Sequence, residues 1–344
     1  NDEKTFKKEI SKAFKELANK GFNRVTVQVR PCADAFYKSN YFPTSEYMFG
    51  YQGAKLIYDP LEIMIDTAHK YDLSIEAWIN PYRVSQRNDF SLLAKNNIAL
   101  KWQNTSKLIV LDNGIYFNPC YNEVTDLIVK GVKEILSNYN VDSLCFDDYF
   151  YPTTDASFDA AAFAESGATD RSAWRKEQCN LMVQAMYNAV KQANPKVLFG
   201  ISPQGTLSGN EKQSADVQTW GQTAGYCDYL LPQLYFGFQN STAPFAETAA
   251  FWAEQVTCPD VSLWIGICTY KIGQQDTWAG DGMTEWQTDS QVVSKELELL
   301  CNMDGIDGAA IYDYASTFQP ESSVSEILSS ERDAIQVLLQ TPAN

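Results

Sequence analysis

Two adjacent carboxylates close an apolar run, Leu144-Cys145-Phe146-Asp147-Asp148, and Tyr149, Phe150 and Tyr151 follow at once. Side chains alternate along a strand, so the two acids point to opposite faces unless the strand stops before them. A strand that ends in acids and aromatics can present a nucleophile, base or acid to a sugar at the mouth of a barrel. The plainer reading is a solvated Asp-Asp turn, and a third makes the pair ligands of Ca²⁺ or Mg²⁺. The chain has a single histidine, His69, late in a helical pattern. Ser-His-Asp and Cys-His catalysis would both have to run through it, and a His-rich zinc site cannot be built. Acid–base chemistry therefore falls to carboxylates, and no cofactor or metal is required.

Such carboxylates need strands to carry them. Helical stripes such as Phe6-Ile10-Phe14-Leu17 and Val124-Leu127-Ile128-Val132-Ile135 alternate with short apolar runs at Val25–Val29, Ser74–Asn80, Ser143–Tyr149, Val197–Ser202, Tyr229–Phe236, Leu263–Tyr270 and Ala309–Tyr314. That alternation predicts an α/β chain with a parallel sheet. Long connections follow strands, at about 31–59, 81–122 and 149–171, while helix-to-strand turns are short. The asymmetry predicts one (β/α)8 TIM barrel spanning residues 1–344, with function at the strands' C-terminal ends. Seven strands are visible and the chain opens in a helix, so the first strand is expected to be missing. Val110–Ile115 reads as a hairpin within the second long loop.

The sum of 27 Lys and Arg against 43 Asp and Glu, a net charge of −16, repels nucleic acid and anionic membranes. No apolar run reaches the ~18 residues of a membrane helix. The eight cysteines are scattered without a CxxC, which favours buried free thiols.

Strand parity selects the side chains that face the barrel interior. It sends in Gln28 and Arg30, then Glu76, Trp78 and Asn80, then Cys145 and Asp147. Gly200 and Ser202, Gln233 and Tyr235, Cys268 and Tyr270, and Tyr312 and Tyr314 follow from the later strands. Aromatics stack on sugar faces, and amides and carboxylates bond hydroxyls. Glu76 lies four residues below Asn80, roughly 13 Å along the strand, and reads as a deep core acid.

In order along the chain stand Gln28-Val29-Arg30-Pro31 with Asp34-Ala35-Phe36-Tyr37, Tyr58-Asp59-Pro60-Leu61, Ala77-Trp78-Ile79-Asn80-Pro81-Tyr82-Arg83, and Phe146-Asp147-Asp148-Tyr149-Phe150-Tyr151. After them come Gly200-Ile201-Ser202-Pro203, Asp228-Tyr229 with Pro232-Gln233, and Ile265-Gly266-Ile267 with Tyr270-Lys271. With these blocks the chain resembles the bacterial glycosyl hydrolase-like family 10, also called domain of unknown function 187. The resemblance implies a TIM-barrel glycosidase acting on bacterial glycans, including peptidoglycan strands stripped of their peptides. It also implies an extracytoplasmic location, secreted or at the cell surface, although no signal peptide is visible. Family members open with a strand carrying an Arg-Gly-x-Trp-like block, which is absent here. The chain departs from the family's pattern at Cys145, Glu76, Thr44, Gln204-Gly205-Thr206 and Phe236-Gly237, all on or near the expected mouth, which leaves the substrate open.

On these grounds the expected reaction is hydrolysis of an oligo- or polysaccharide by a monomer. Asp147 is the expected nucleophile or base, in a position similar to the nucleophile of α-galactosidase-like barrels. Asp148 is the first choice for general acid, with Asp216 and Asp34 next and Glu76 in reserve. Expected substrate contacts are Arg30, Asp34, Tyr37, Trp78, Asn80, Tyr82, Arg83, Tyr149, Gln233, Tyr235, Tyr270 and Lys271. The three cations among them suit a carboxylated or sulfated sugar, or else brace loops and acids. The same residues would also serve a noncatalytic glycan-binding barrel.

Overall fold

Asp2 opens the first helix, Glu3–Lys20, by accepting the Thr5 N–H, and Gly21 closes it in the left-handed region at φ 97°. The computed structural model describes residues 2–320 and 324–340. Its chain divides into two compact units: Asn1–Gly200 with Asn210–Asp216 and Gly225–Cys227, and Ile201–Gly209 with Val217–Ala224 and Asp228–Asn344.

In the first unit β1, Arg24–Arg30, follows the opening helix. Asp59 caps the next helix, Pro60–Lys70, where proline occupies the first turn and needs no N–H partner. That helix leads into β2, Ser74–Ile79. Three short strands then make a separate antiparallel sheet in the order β3-β5-β4: β3 is Arg83–Ser85, β4 is Leu108–Leu111 and β5 is Gly114–Phe117. The β4–β5 hairpin falls where the sequence predicts one, and β3 does not announce itself in the sequence. Gly114 turns the hairpin at φ 154°, where a Cβ would stand 2.5 Å from the Ser85 carbonyl oxygen. Helix Asn122–Asn138 leads to β6, Ser143–Phe146, and helix Arg171–Ala193 to β7, Leu198–Ile201. The four parallel strands of this unit run in the order β1-β2-β6-β7. β1 pairs parallel to β2, and β2 parallel to β6 with Trp78 opposite Cys145 and Ile79 opposite Phe146.

The second unit carries β8, Tyr229–Leu230, β9, Ser262–Cys268, and β10, Gly308–Tyr312, parallel and in that order. Helices Phe245–Gln255, Val292–Cys301 and Ser325–Gln340 alternate with them or follow. The predicted helix at 322–339 begins partly outside the described residues. The run Tyr229–Phe236 is a strand for only two residues, because Pro232 has no N–H to give a ladder. Gln233 rejoins the pairing by single bridges to Gln204 and Gly266. The last predicted strand stops at Tyr312, and Tyr314–Phe318 is instead a short helix capped by Asp313.

Seven parallel strands, four in one unit and three in the other, are thus present among the described residues, as the sequence pattern anticipates. None of the eight cysteines forms a disulfide, and six of them are buried. No helix among the described residues is long and apolar enough to cross a membrane.

Candidate active site

β6 ends at Phe146, so Asp147 and Asp148 are the first residues beyond it and strand parity no longer governs them. Both are 5 % exposed. The Asp147 backbone still follows the sheet, its N–H donating to the Ile79 carbonyl at 3.3 Å. Its carboxylate is fixed from three sides. Trp78 Nε1 and Asn80 Nδ2 donate to Oδ2 at 3.1 and 2.9 Å, and the Asp148 N–H donates to Oδ1 at 2.8 Å. Asn80 is aimed in turn by Gln28 Nε2, which donates to its Oδ1 at 2.7 Å. Gln28 is a residue that parity places inward, yet only this geometry reveals its task. The chain Gln28–Asn80–Asp147 therefore crosses β1, β2 and the end of β6.

Arg30 does not join that chain. The β1–β2 register slips between Gln28 and Arg30, so Val29 is an extra residue in a bulge. The bulge turns the Arg30 side chain toward the outer helix. Its guanidinium lies 4.4 Å over the Phe42 ring, and a Cβ on Gly131 of helix Asn122–Asn138 would meet Nη1 at 3.4 Å. Arg30 Nη2 donates to the carbonyls of Asn80 and Pro81 at 3.2 and 2.9 Å. Burial lowers its pKa to about 10. At 1 % exposure it offers no surface to a substrate and braces the Asn80-Pro81 turn instead. Tyr82, fully buried against Phe150 at 6.4 Å, and Tyr37, buried edge-on to Tyr139 at 5.7 Å, are likewise interior residues.

Asp34 is buried beside this group and accepts from Gln52 Nε2 at 3.3 Å. Burial pushes its carboxyl above the ordinary range, as a proton-holding acid requires. Arg83 stacks 4.4 Å over the Tyr149 ring. Burial, then the charges of Asp148 and Asp147, raise the Tyr149 phenol. Glu76 is the deep acid expected of it: Thr26, Ser143 and Arg24 donate to it at 2.9, 2.9 and 3.3 Å. Asp216 is half-buried and accepts from Asn180 Nδ2 at 2.8 Å, a partner on helix Arg171–Ala193.

In the second unit, Tyr235, Tyr270 and Tyr312 form a three-ring cluster with centroids 5.9 to 6.0 Å apart. Tyr270 and Tyr312 are 38 % and 42 % exposed. Burial raises the Tyr270 phenol. Gln233 Nε2 donates to the Ser202 carbonyl at 3.1 Å. Lys271 Nζ donates to the Tyr235 carbonyl at 2.7 Å and pairs with Asp276 at 2.6 Å, so it braces the loop that carries the tyrosines.

A groove between helices Glu3–Lys20 and Pro60–Lys70 has a volume of about 740 Å³ and is walled by Lys7, Lys8, Glu62 and Asp66 among others. No member of the Asp147 group lines it.

The family model for glycosyl hydrolase-like 10 matches residues 3–280. The chain is 35 % identical to glycosyl hydrolase YngK of Bacillus subtilis, over 77 % of this chain and 56 % of that protein. It is 30 % identical to glycosyl hydrolase DigH of Escherichia coli K12, over 91 % of this chain and 77 % of that one. The chain thus spans little more than half the length of YngK. Among solved structures, the glycoside hydrolase domain of PgaB (BpsB) from Bordetella bronchiseptica superposes with a TM-score of 0.63 at 10 % identity, over 94 % of this chain and 92 % of that domain. Alpha-L-fucosidase isoenzyme 2 from Paenibacillus thiaminolyticus superposes with a TM-score of 0.60 at 14 % identity, over 95 % of this chain and 46 % of that one. At such identities the likeness is one of fold, and it is to glycoside hydrolases. The seven parallel strands, the acid pair beyond β6 and the family match over most of the chain agree: this protein belongs to the glycosyl hydrolase-like 10 family.

Proposed function

We propose that this protein hydrolyses O-glycosidic bonds in a complex bacterial glycan, with Asp147 as nucleophile or base, on a fold of the (β/α)8 type. The observation that carries this reading is the triple anchorage of the Asp147 carboxylate at the C-terminal end of β6. A nucleophile or base must be held in one orientation, because small misplacement costs orders of magnitude in rate. Trp78, Asn80 and the Asp148 N–H supply that orientation while Tyr149 and Arg83 stand beside it.

Cleavage also needs a proton donor for the leaving oxygen. Asp148 is adjacent and buried. Asp34 is buried and held toward its protonated form, which makes it the second candidate. The family resemblance favours peptide-free peptidoglycan strands and an extracytoplasmic place of action, and the exposed ring of Tyr149 beside the acid pair suits a carbohydrate.

A panel of bacterial glycans, peptide-free peptidoglycan included, with product anomers followed by NMR, tests the proposal. Release of reducing ends by the wild type and its loss in Asp147→Asn are expected. Glycan binding without cleavage by the wild type would favour the noncatalytic reading.

A further inference from the structure

The aromatic surface beside the acid pair does not end at Tyr149. Arg83 stacks on the Tyr149 ring, and Tyr116 of β5 faces Arg83 across the antiparallel sheet. On the loop after β1, Tyr47 and Phe36 stack with centroids 6.5 Å apart and planes 29° apart. The Tyr47 hydroxyl donates to Gln86 Oε1 at 3.4 Å, three residues beyond Arg83. Arg87 holds the same loop by donating to Glu46 at 2.7 Å. Burial raises the phenols of Tyr47, Tyr116 and Tyr149, and the Arg83 charge opposes the rise in all three, which puts one cation among three aromatic rings. Arg83 Nε has no hydrogen-bond partner of its own. Tyr47 is 59 % exposed.

We propose that Tyr47, backed by Phe36, is a sugar-stacking platform that holds a second saccharide of the glycan chain, displaced from the bond cut at Asp147. The proposal rests on the glycosidase reading and deepens it. A sugar ring has an apolar face of C–H groups and a rim of hydroxyls. Tyr47 offers a flat apolar face, and Gln86 and Arg83 offer polar groups at its edges. The row Asp147-Asp148, Tyr149, Arg83, Tyr47 lies within one unit and is continuous with the site already described. Its occupant is therefore the next unit of the same polymer, and the enzyme prefers chains to disaccharides.

The test is chain-length selectivity. The kcat/KM for a long glycan is divided by that for a two-sugar substrate, in wild type, Tyr47→Ala and Tyr47→Phe. Tyr47→Ala is expected to lower this ratio about tenfold, equivalent to ~1.4 kcal/mol, chiefly through KM for the long chain. Tyr47→Phe keeps the ring and should restore most of the ratio. Tyr47 is exposed, so melting curves should confirm that both variants fold. An unchanged ratio in Tyr47→Ala overturns the platform. So does a loss that Tyr47→Phe shares in full, or a Tyr47→Ala phenotype confined to self-association measured by sedimentation. A wild type that cleaves no glycan at all would instead remove the glycosidase reading on which the platform rests.

Discussion

Trp78→Phe isolates the anchorage of Asp147. The substitution removes the N–H donor 3.1 Å from Asp147 Oδ2 together with part of the indole ring, and adds neither charge nor bulk. Trp78 is half-buried, and its backbone pairs between β1 and β6, so the strand should survive. A hydrogen bond to an ionised group contributes about 1.5–3 kcal/mol, which converts to a loss of roughly 10- to 150-fold. Asn80 Nδ2 and the Asp148 N–H remain in place. The lower end of that range, about tenfold in kcat, is therefore expected. The assay is release of reducing ends from the most reactive glycan of the panel, with kcat and KM separated. A second arm compares glycan affinity in Asp147→Asn with that in Asp147→Asn/Trp78→Phe. If Trp78 acts through Asp147, kcat falls in the first arm and affinity is unchanged in the second. A Trp78→Phe enzyme within about twofold of wild type in kcat, or one whose affinity falls in both arms, would refute the positioning role. In the latter case the indole would be a sugar contact.

Asp147→Asn should remove several powers of ten in rate while melting near the wild-type temperature, because the amide keeps the shape but cannot act as base or nucleophile; calorimetry and end-point cleavage check both halves. Asp148→Asn and Asp34→Asn should separate the acid from its neighbours: the variant that lacks the acid still cleaves aryl glycosides with good leaving groups, while its rate on natural glycan collapses. Glu296 in the second unit is fully buried with no hydrogen-bond partner on either oxygen, and burial, followed by the Glu331 charge, pushes its carboxyl well above the ordinary range. A carboxyl raised in the folded state adds its stability in full below the unfolded value of about 4.3 and loses it as pH climbs through the folded value. Glu296→Gln should therefore melt higher than wild type at pH 8, by about 2 °C or more, with the gap closing at pH 4; an equal gap at both pH values would contradict this.

The alternation of helix and strand was legible because it rests on periodicity, which is local. The β4–β5 hairpin and the buried character of Glu76 were legible for the same reason. What failed to show was whatever depended on a partner. Tyr229–Phe236 has the composition of a strand, but Pro232 withholds its N–H and the ladder dissolves into single bridges. Arg30 has the right parity, but parity assumes an unbroken register, and the slip at Val29 breaks it. Tyr82 and Tyr37 read as contacts because aromatics beside a site and aromatics beneath it look alike in one dimension. Gln28 and Tyr116 matter through residues about 50 and 30 positions away, a distance that no local pattern spans.

The bulge at Val29 has a meaning for how such a family could diversify. A seven-residue strand carries both the glutamine that steers Asn80 and the arginine that props the turn behind it. One surplus residue keeps them on different sides of the sheet. Deleting it would not reunite them, because Gln28 and Arg30 would become neighbours and alternation would still hold them on opposite faces. Drawing Val29 back into the ladder would, and it would bring a full positive charge to the side now held by amides. The face that Arg30 occupies is thus set by pairing register and not by composition. An alignment of this strand would read the same in both versions, because Gln and Arg remain and only their addresses change.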